Sequence, residues 1–450
     1  MSQSTFSPDS LDLAESAAIL ENNSQFVPGG LASINRKSDP VIAFAKAIGS
    51  RLWDVAGKEY IDYHAGFAPY ILGHSDPDQI AAVQTAMTSG SSNYGSGPTR
   101  DEGELAELFL SCVPLVNKVQ FFNSGSEATA QAIRVARAAT GRDHVILVQG
   151  SYNGNQNIVA FNIMTPTDVL GKQVIGDEYP RVPITAGIPA SEQELVHIVP
   201  FNDREAVKTM IERYDVAAMI TEPILQNIGV IKPQTGYIEG LRALADDNGF
   251  LLVIDEVKTG FRAGLGGFQG LSGIQPDLAS YGKALANGFP IAALAGKSEY
   301  MDLVVSEDAS KRVLLAGTYN CHPVPVAAAI ACLNKLKDRD KDVHGHLERL
   351  AQQLEDGQQM LFGKYGVDAT IVRQGSAHCV YFMDHAPVNW WDLATNHDFD
   401  FDARYRRNLI ERGIYNFPLP TKQGSISYAH SDDDIDLTLA AIDDTLEAML

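Results

Sequence analysis

The chain has 450 residues, 45% of them hydrophobic and 20% charged, with a formal net charge of -21. That composition suits a soluble globular protein large enough for two or three domains. So acidic a surface repels nucleic acid and anionic membranes, and both are set aside as partners.

The N-terminal stretch MSQSTFSPDSLDLAESAAILENN has no basic start and no long apolar run, so neither a signal peptide nor an anchor is expected. No apolar run anywhere reaches the roughly 18 residues that span a bilayer. Residues 12–24 read as a short helix ending before VPGG, and RLWDVAGKEYIDY (51–63) reads as a hairpin around AGK. Helix and strand patterns then alternate. Helices are predicted over 102–113, 127–140 and 237–249, and strands over 119–123, 144–149, 216–223 and 250–257. Apolar strands separated by helices of this length indicate a mostly parallel sheet covered on both faces.

From about residue 321 the texture changes. PVAAAIACLNKLKD reads as a long helix leading into a smaller α+β domain, with helices over 347–366 and 401–413, strand HCVYFM (378–383) and a last helix from Asp433. The acidic run SDDDID suits a helix N-terminus and is given no catalytic role. The expected division is an N-terminal segment 1–65 that contributes to the small domain and the active site, a large domain 66–320, and a small domain 321–450. The cysteines Cys112, Cys321, Cys332 and Cys379 form no CxxC pair and no zinc spacing, so free thiols in a reducing cytoplasm and no metal site are expected.

Ligands of open parallel sheets sit at the C-terminal strand ends, and three such ends carry unusual residues. VQFFN runs into Ser124-Gly125-Ser126 and then a helix, a cup of N–H groups and hydroxyls suited to phosphate. LLVID ends on Asp255, a carboxylate whose depth is costly without a cation. ASYGKALANGFP sets Lys283 among small residues, where its amine could trap a carbonyl. Each has a bland alternative: a helix cap, a structural ion pair, an exposed lysine. Together they meet the needs of pyridoxal 5'-phosphate: an amine for the aldehyde, a carboxylate for the pyridine nitrogen, and a phosphate cup.

The sequence resembles the class III aminotransferases, fold type I enzymes that use pyridoxal phosphate, and within them the glutamate-1-semialdehyde aminomutase branch. The resemblance runs from about Val27 to the C-terminus on PGGLASINR, GHSDP, FFNSGSEAT, TGRDHVI, TEPILQNIGV, DEVKTGFR, PDLASYGKALANGFP, GTYNCHP and SYAHSDDDID. It implies that Lys283 is the Schiff-base lysine and proton shuttle, and that Asp255 pairs with the ring nitrogen. Val257 and Tyr152 then flank the ring, Ser124, Gly125 and Ser126 take the phosphate, and Glu222 and Asn227 lie on the 3-hydroxyl side. It also implies that Thr318 reaches the phosphate of a second subunit in a homodimer with shared active sites. Arg36 would bind a substrate carboxylate, and Phe67 would lie beside the substrate.

Four positions depart from the family's habit. Tyr152-Asn153-Gly154 replaces tyrosine-histidine-glycine, Lys258 replaces methionine, GTYNCHP brings Cys321 and His322, and Phe67 replaces tryptophan. Cofactor-facing residues survive and substrate-facing ones do not. The expected activity is therefore amino transfer from a carboxylate-bearing donor to a keto or aldehyde acceptor. A 2,1-aminomutase or an amino-acid racemase or epimerase are the alternatives.

Other signals are set down. GLGGFQG (264–270) lacks the strand–helix context of a dinucleotide site and reads as a flexible loop beside the active site. His344 and His346 read as solvated, His74 and His322 as structural, and Trp390-Trp391 as packed under a loop of the small domain. Arg262 reads as a partner of Glu256 or a clamp. Alternation puts Lys258 opposite Val257, away from a ring.

Overall fold

Apolar runs that cannot be left in water fold here into two separate compact units, seen in a computed structural model that describes residues 11–450. The first residues of the stretch read as lacking a leader lie outside the described residues. The larger unit holds residues 77–344 and 387–396; the smaller holds the described chain up to Asp76, 345–386 and 397–450. The divisions expected at 65/66 and 320/321 thus fall at 76/77 and 344/345, because helix Pro323–Lys337 packs on helices Pro77–Thr88 and Arg100–Cys112 of the larger unit.

The larger unit is built on seven strands: β1 Lys118–Phe122, β2 His144–Val148, β3 Val196–Val199, β4 Val216–Thr221, β5 Leu251–Glu256, β6 Leu278–Tyr281 and β7 Ala292–Gly296. Their spatial order is β1-β7-β6-β5-β4-β2-β3. Strands β2 to β6 pair in parallel. Strand β7 runs antiparallel to both β1 and β6, so the sheet is mixed. Every residue of β4 and β5 is buried, as expected of strands covered on both faces. Helix Gly125–Thr140 lies across the sheet on a stripe of Ala128, Ala132, Ile133, Val135 and Ala136, whose short side chains permit a close approach. Among the described residues no helix is long and apolar enough to cross a membrane.

In the smaller unit the expected hairpin forms, with Arg51–Asp54 antiparallel to Glu59–Asp62. Phe44–Ile48 and Ile414–Tyr415 complete a four-stranded sheet, and Leu52, Tyr60, Ile410 and Tyr415 pack beside it as a core cluster. A second sheet joins Thr370–Gln374, Ala377–Tyr381 and Gly424–Ser425. The acidic run before helix Asp432–Met449 is a capping box: Ser431 Oγ accepts from Asp434 N (3.3 Å), and Asp434 Oδ2 accepts from Ser431 N (3.1 Å).

Candidate active site

Parallel pairing delivers the C-terminal ends of β2, β4, β5 and β6 to one edge of the larger unit's sheet, and β1 ends there too. Asp255 is 3% exposed at the end of β5. Its Oδ1 accepts from Ser280 Oγ (2.8 Å) and Val257 N (3.0 Å), and its Oδ2 accepts from Asn153 Nδ2 (2.8 Å). Ser280 reaches it because the two residues are register partners on β5 and β6. Burial pushes the carboxyl above its usual range, while the Asn153, Val257 and Ser280 donors and the Lys283 charge pull it back.

Lys283 follows β6 after Gly282 and opens a short 3-10 turn, Lys283–Ala286. Its φ of 47° is left-handed, a strained conformation for a side-chain-bearing residue. Burial lowers its proton affinity, and the charges of Asp255 and Glu222 oppose that effect.

Glu222, after β4, is a second buried carboxylate. It accepts from Tyr152 N (2.9 Å), Gln226 N (2.9 Å) and Ser151 Oγ (3.4 Å). Burial raises its pKa; the Tyr152 N–H, the Lys258 charge and the Gln226 N–H lower it, and Asp255 raises it further. The chain from Glu222 to Ile231 is closed by reciprocal bonds between the Leu225 and Ile231 backbones, and Asn227 sits half-buried within it. Lys258 Nζ donates to Gln226 O (2.8 Å). Strand β5 ends at Glu256, so alternation no longer governs position 258.

Ser124 caps helix Gly125–Thr140, its Oγ accepting from Glu127 N (3.3 Å). A Cβ built on Gly125 would lie 3.0 Å from both Val257 methyls, so only glycine lets the helix start this close to the Asp255 turn. Gly154, at φ 120°, similarly lets the 153–155 turn approach Ser126, whose Oγ accepts from Asn155 N (3.3 Å). Thr318 lies exposed in a loop joined to the cup by Asn320, whose Oδ1 accepts from Asn123 Nδ2 (3.2 Å).

The family model for class-III aminotransferases matches residues 33–435. The chain belongs to the class III aminotransferases. It is 35% identical over 442 residues to glutamate-1-semialdehyde 2,1-aminomutase 2 of Exiguobacterium sibiricum, covering 97% of each chain. The fold is similar to that of an omega-transaminase from Sphaerobacter thermophilus (TM-score 0.87, 28% identity, 96% of this chain and 97% of that one). It also matches a transaminase with PLP bound (TM-score 0.85, 26% identity, 98% of each). This aminotransferase is therefore an enzyme of the fold type I class that depends on pyridoxal phosphate. The donor set fits that group: a buried carboxylate held by neutral donors, a buried lysine amine within its field, and a helix start kept open by Gly125.

The larger unit brings together Ser124, Gly125, Ser126, Tyr152, Glu222, Asn227, Asp255, Val257 and Lys283 at these strand ends. Arg36 and Phe67 belong to the smaller unit. Arg36 ends an exposed 3-10 turn, Ile34–Arg36. Phe67 has φ 69° in a run of four left-handed residues, Ala65 to Ala68, and its ring meets those of His64 (4.3 Å between centroids) and Phe417 (5.1 Å).

Several set-aside signals differ from expectation. The GLGGFQG stretch is a short helix, Gly267–Ser272, rather than a flexible loop, because the Glu256 carboxylate takes Phe268 N (2.8 Å) and Gln269 N (3.0 Å) at its start. His344 and His346 are not solvated: each ring donates to a carbonyl, of Phe261 (2.8 Å) and His430 (2.9 Å) respectively. Trp390 belongs to the larger unit, where its Nε1 donates to Thr165 O (2.7 Å). Arg262 is buried, and burial pulls its guanidinium down to about 10. Nothing in the sequence singles out Ser280 or Ser151. Asn153 stands out in the sequence only as a departure from the family's habit, with nothing to show that it donates to Asp255.

Proposed function

We propose that this enzyme performs a 2,1-aminomutase-type shift, moving an amino group between neighbouring carbons of one carboxylate-bearing amino aldehyde of the glutamate-1-semialdehyde class. The observation that carries this reading is the near full-length likeness to the aminomutase of E. sibiricum together with the convergence of Lys283, Asp255 and Glu222. Amino transfer between two molecules, the activity ranked first from the sequence, is the second reading. It is favoured by the omega-transaminase fold match and by Phe67 in the place of a tryptophan.

Bound pyridoxal phosphate supplies an aldehyde that takes up the amino group and a ring that accepts the electron pair left by a departing proton. Lys283 Nζ, made less basic by burial, takes the proton from the substrate carbon and returns it at the new position. Asp255 keeps the ring nitrogen positively charged. Ser124, Gly125 and Ser126 hold the phosphate, Tyr152 and Val257 bound the ring faces, and Glu222 with Asn227 orients the hydroxyl edge. Arg36 binds the substrate carboxylate beside Phe67. Thr318 completes the phosphate site of a second subunit, which makes the working form a homodimer.

The test is incubation with isotopically labelled glutamate-1-semialdehyde and no other amino donor or acceptor. Conversion to the isomer with the nitrogen label retained supports the shift. A strict requirement for an added keto acid supports transfer instead, and proton exchange with neither outcome supports racemisation. Lys283→Ala is expected to abolish the visible absorbance of the bound cofactor.

A further inference from the structure

The larger unit places two carboxylates and two amines together, more charge than one anion–cation pair requires. Asp255 and Lys283 form the first pair. Glu222 adds a second negative charge that acts on Lys283 and on Asp255's surroundings alike. Two carboxylates around one buried amine both favour its protonated form, against the burial that lowers its proton affinity, and a protonated amine can neither attack a carbonyl nor accept a proton.

Lys258 supplies the second cation. The turn after β5, closed by Gly260 N donating to Glu256 O (2.8 Å), carries Val257 and Lys258 just beyond the strand end that holds Asp255. Lys258 Nζ donates to Gln226 O (2.8 Å), and Gln226 N donates to Glu222 Oε2 (2.9 Å). Gln226 acts through its backbone, since both of its side-chain amide atoms are buried without a hydrogen-bond partner. The groups facing Glu222 include Tyr152 N, Ser151 Oγ, Gln226 N, Lys258 and Asp255; those acting on Lys283 include Asp255 and Glu222.

We propose that Lys258 is a positioning residue whose ammonium balances the Glu222 carboxylate and ties the turn after β4 to the turn after β5, so that Lys283 feels the field of one carboxylate rather than two. This rests on Lys283 being the reactive amine and not on which substrate is used.

The experiment follows the visible absorbance of the cofactor-loaded enzyme against pH. In parallel, the cofactor-free chain is labelled with an amine-reactive reagent across pH, with Lys283 read by peptide mass spectrometry. Lys258→Met raises the midpoint of both titrations by about one pH unit, because a positive charge is lost while Glu222 stays ionised. Lys258→Arg keeps the charge and leaves the midpoint in place. Lys258→Met combined with Glu222→Gln restores charge balance and returns it towards the parent value, which a merely structural tether would not do. Glu222→Gln alone, with Lys258 intact, lowers it, and this arm stands even if Lys258→Met does not fold. An unmoved midpoint in Lys258→Met or in Glu222→Gln, or a double variant that shifts as far as Lys258→Met, overturns the proposal. Loss of both titrations in Lys283→Ala tests the assignment of the amine separately.

Discussion

Gly125→Ala isolates the close approach between the helix start and the Asp255 turn. The added Cβ would stand 3.0 Å from Val257 Cγ1 and Cγ2, well inside the ~3.5–4.0 Å of an ordinary carbon contact. The Val257 backbone is held in place, since its N–H donates to Asp255 Oδ1 (3.0 Å). Overpacking of this kind costs about 1–3 kcal/mol. The better helix propensity of alanine returns at most ~1 kcal/mol. A net loss of up to about 2–3 kcal/mol is expected, seen as lower thermal stability of the cofactor-free chain and weaker cofactor binding in an absorbance titration. Adding Val257→Ala removes both offending methyls, so the double variant should recover stability relative to Gly125→Ala. If Gly125→Ala melts and binds like the parent, or Val257→Ala brings no recovery, the steric argument is wrong.

Asn153→Leu removes the donor on Asp255 Oδ2. A hydrogen bond to a charged acceptor contributes ~1.5–3 kcal/mol, so cofactor affinity should fall roughly tenfold to a hundredfold, measured by equilibrium dialysis. In the smaller unit Arg406→Met leaves buried Asp402 without the guanidinium that donates to it at 2.6 Å, a loss of about 3–5 kcal/mol in chemical denaturation. Burial pushes the Asp402 carboxyl up, but Arg406 and then His397 bring it below its ordinary value. Its contribution is therefore present above the ordinary carboxylate range and is lost as pH falls through the folded value. The acid-unfolding midpoint of Arg406→Met should lie at higher pH than that of the parent.

The strands and helices were legible where burial imposed a period. LLVID and VAAMIT are continuous apolar runs because both faces of the sheet are covered. Strand β7, AALAG, is not legible: alanine and glycine carry little strand preference, and it holds its place by pairing with β6 and with β1, which is distant in sequence. The same distinction divides the site. Asp255, Lys283 and the Ser124–Ser126 cup announce themselves by misplaced polarity at strand ends. Ser280 and Asn153 do not, because their importance depends on cross-strand register and on a turn that folds back. Alternation does not place Lys258, because strand β5 ends at Glu256, two residues before it.

The chain passes between the two units four times, at 76/77, 344/345, 386/387 and 396/397. The last return brings Trp390 to Thr165 O, so the larger unit lacks a piece of its own packing until residue 396 has been made. On a ribosome that adds roughly 5–20 residues per second, the sheet carrying Asp255 and Lys283 waits many seconds for its final segment. A chain cut short at residue 386 would contain every strand of that sheet and still leave Trp390's place beside Gly150 unfilled. Synthesis order therefore sets when the packing around Thr165 and Gly150 can first be completed.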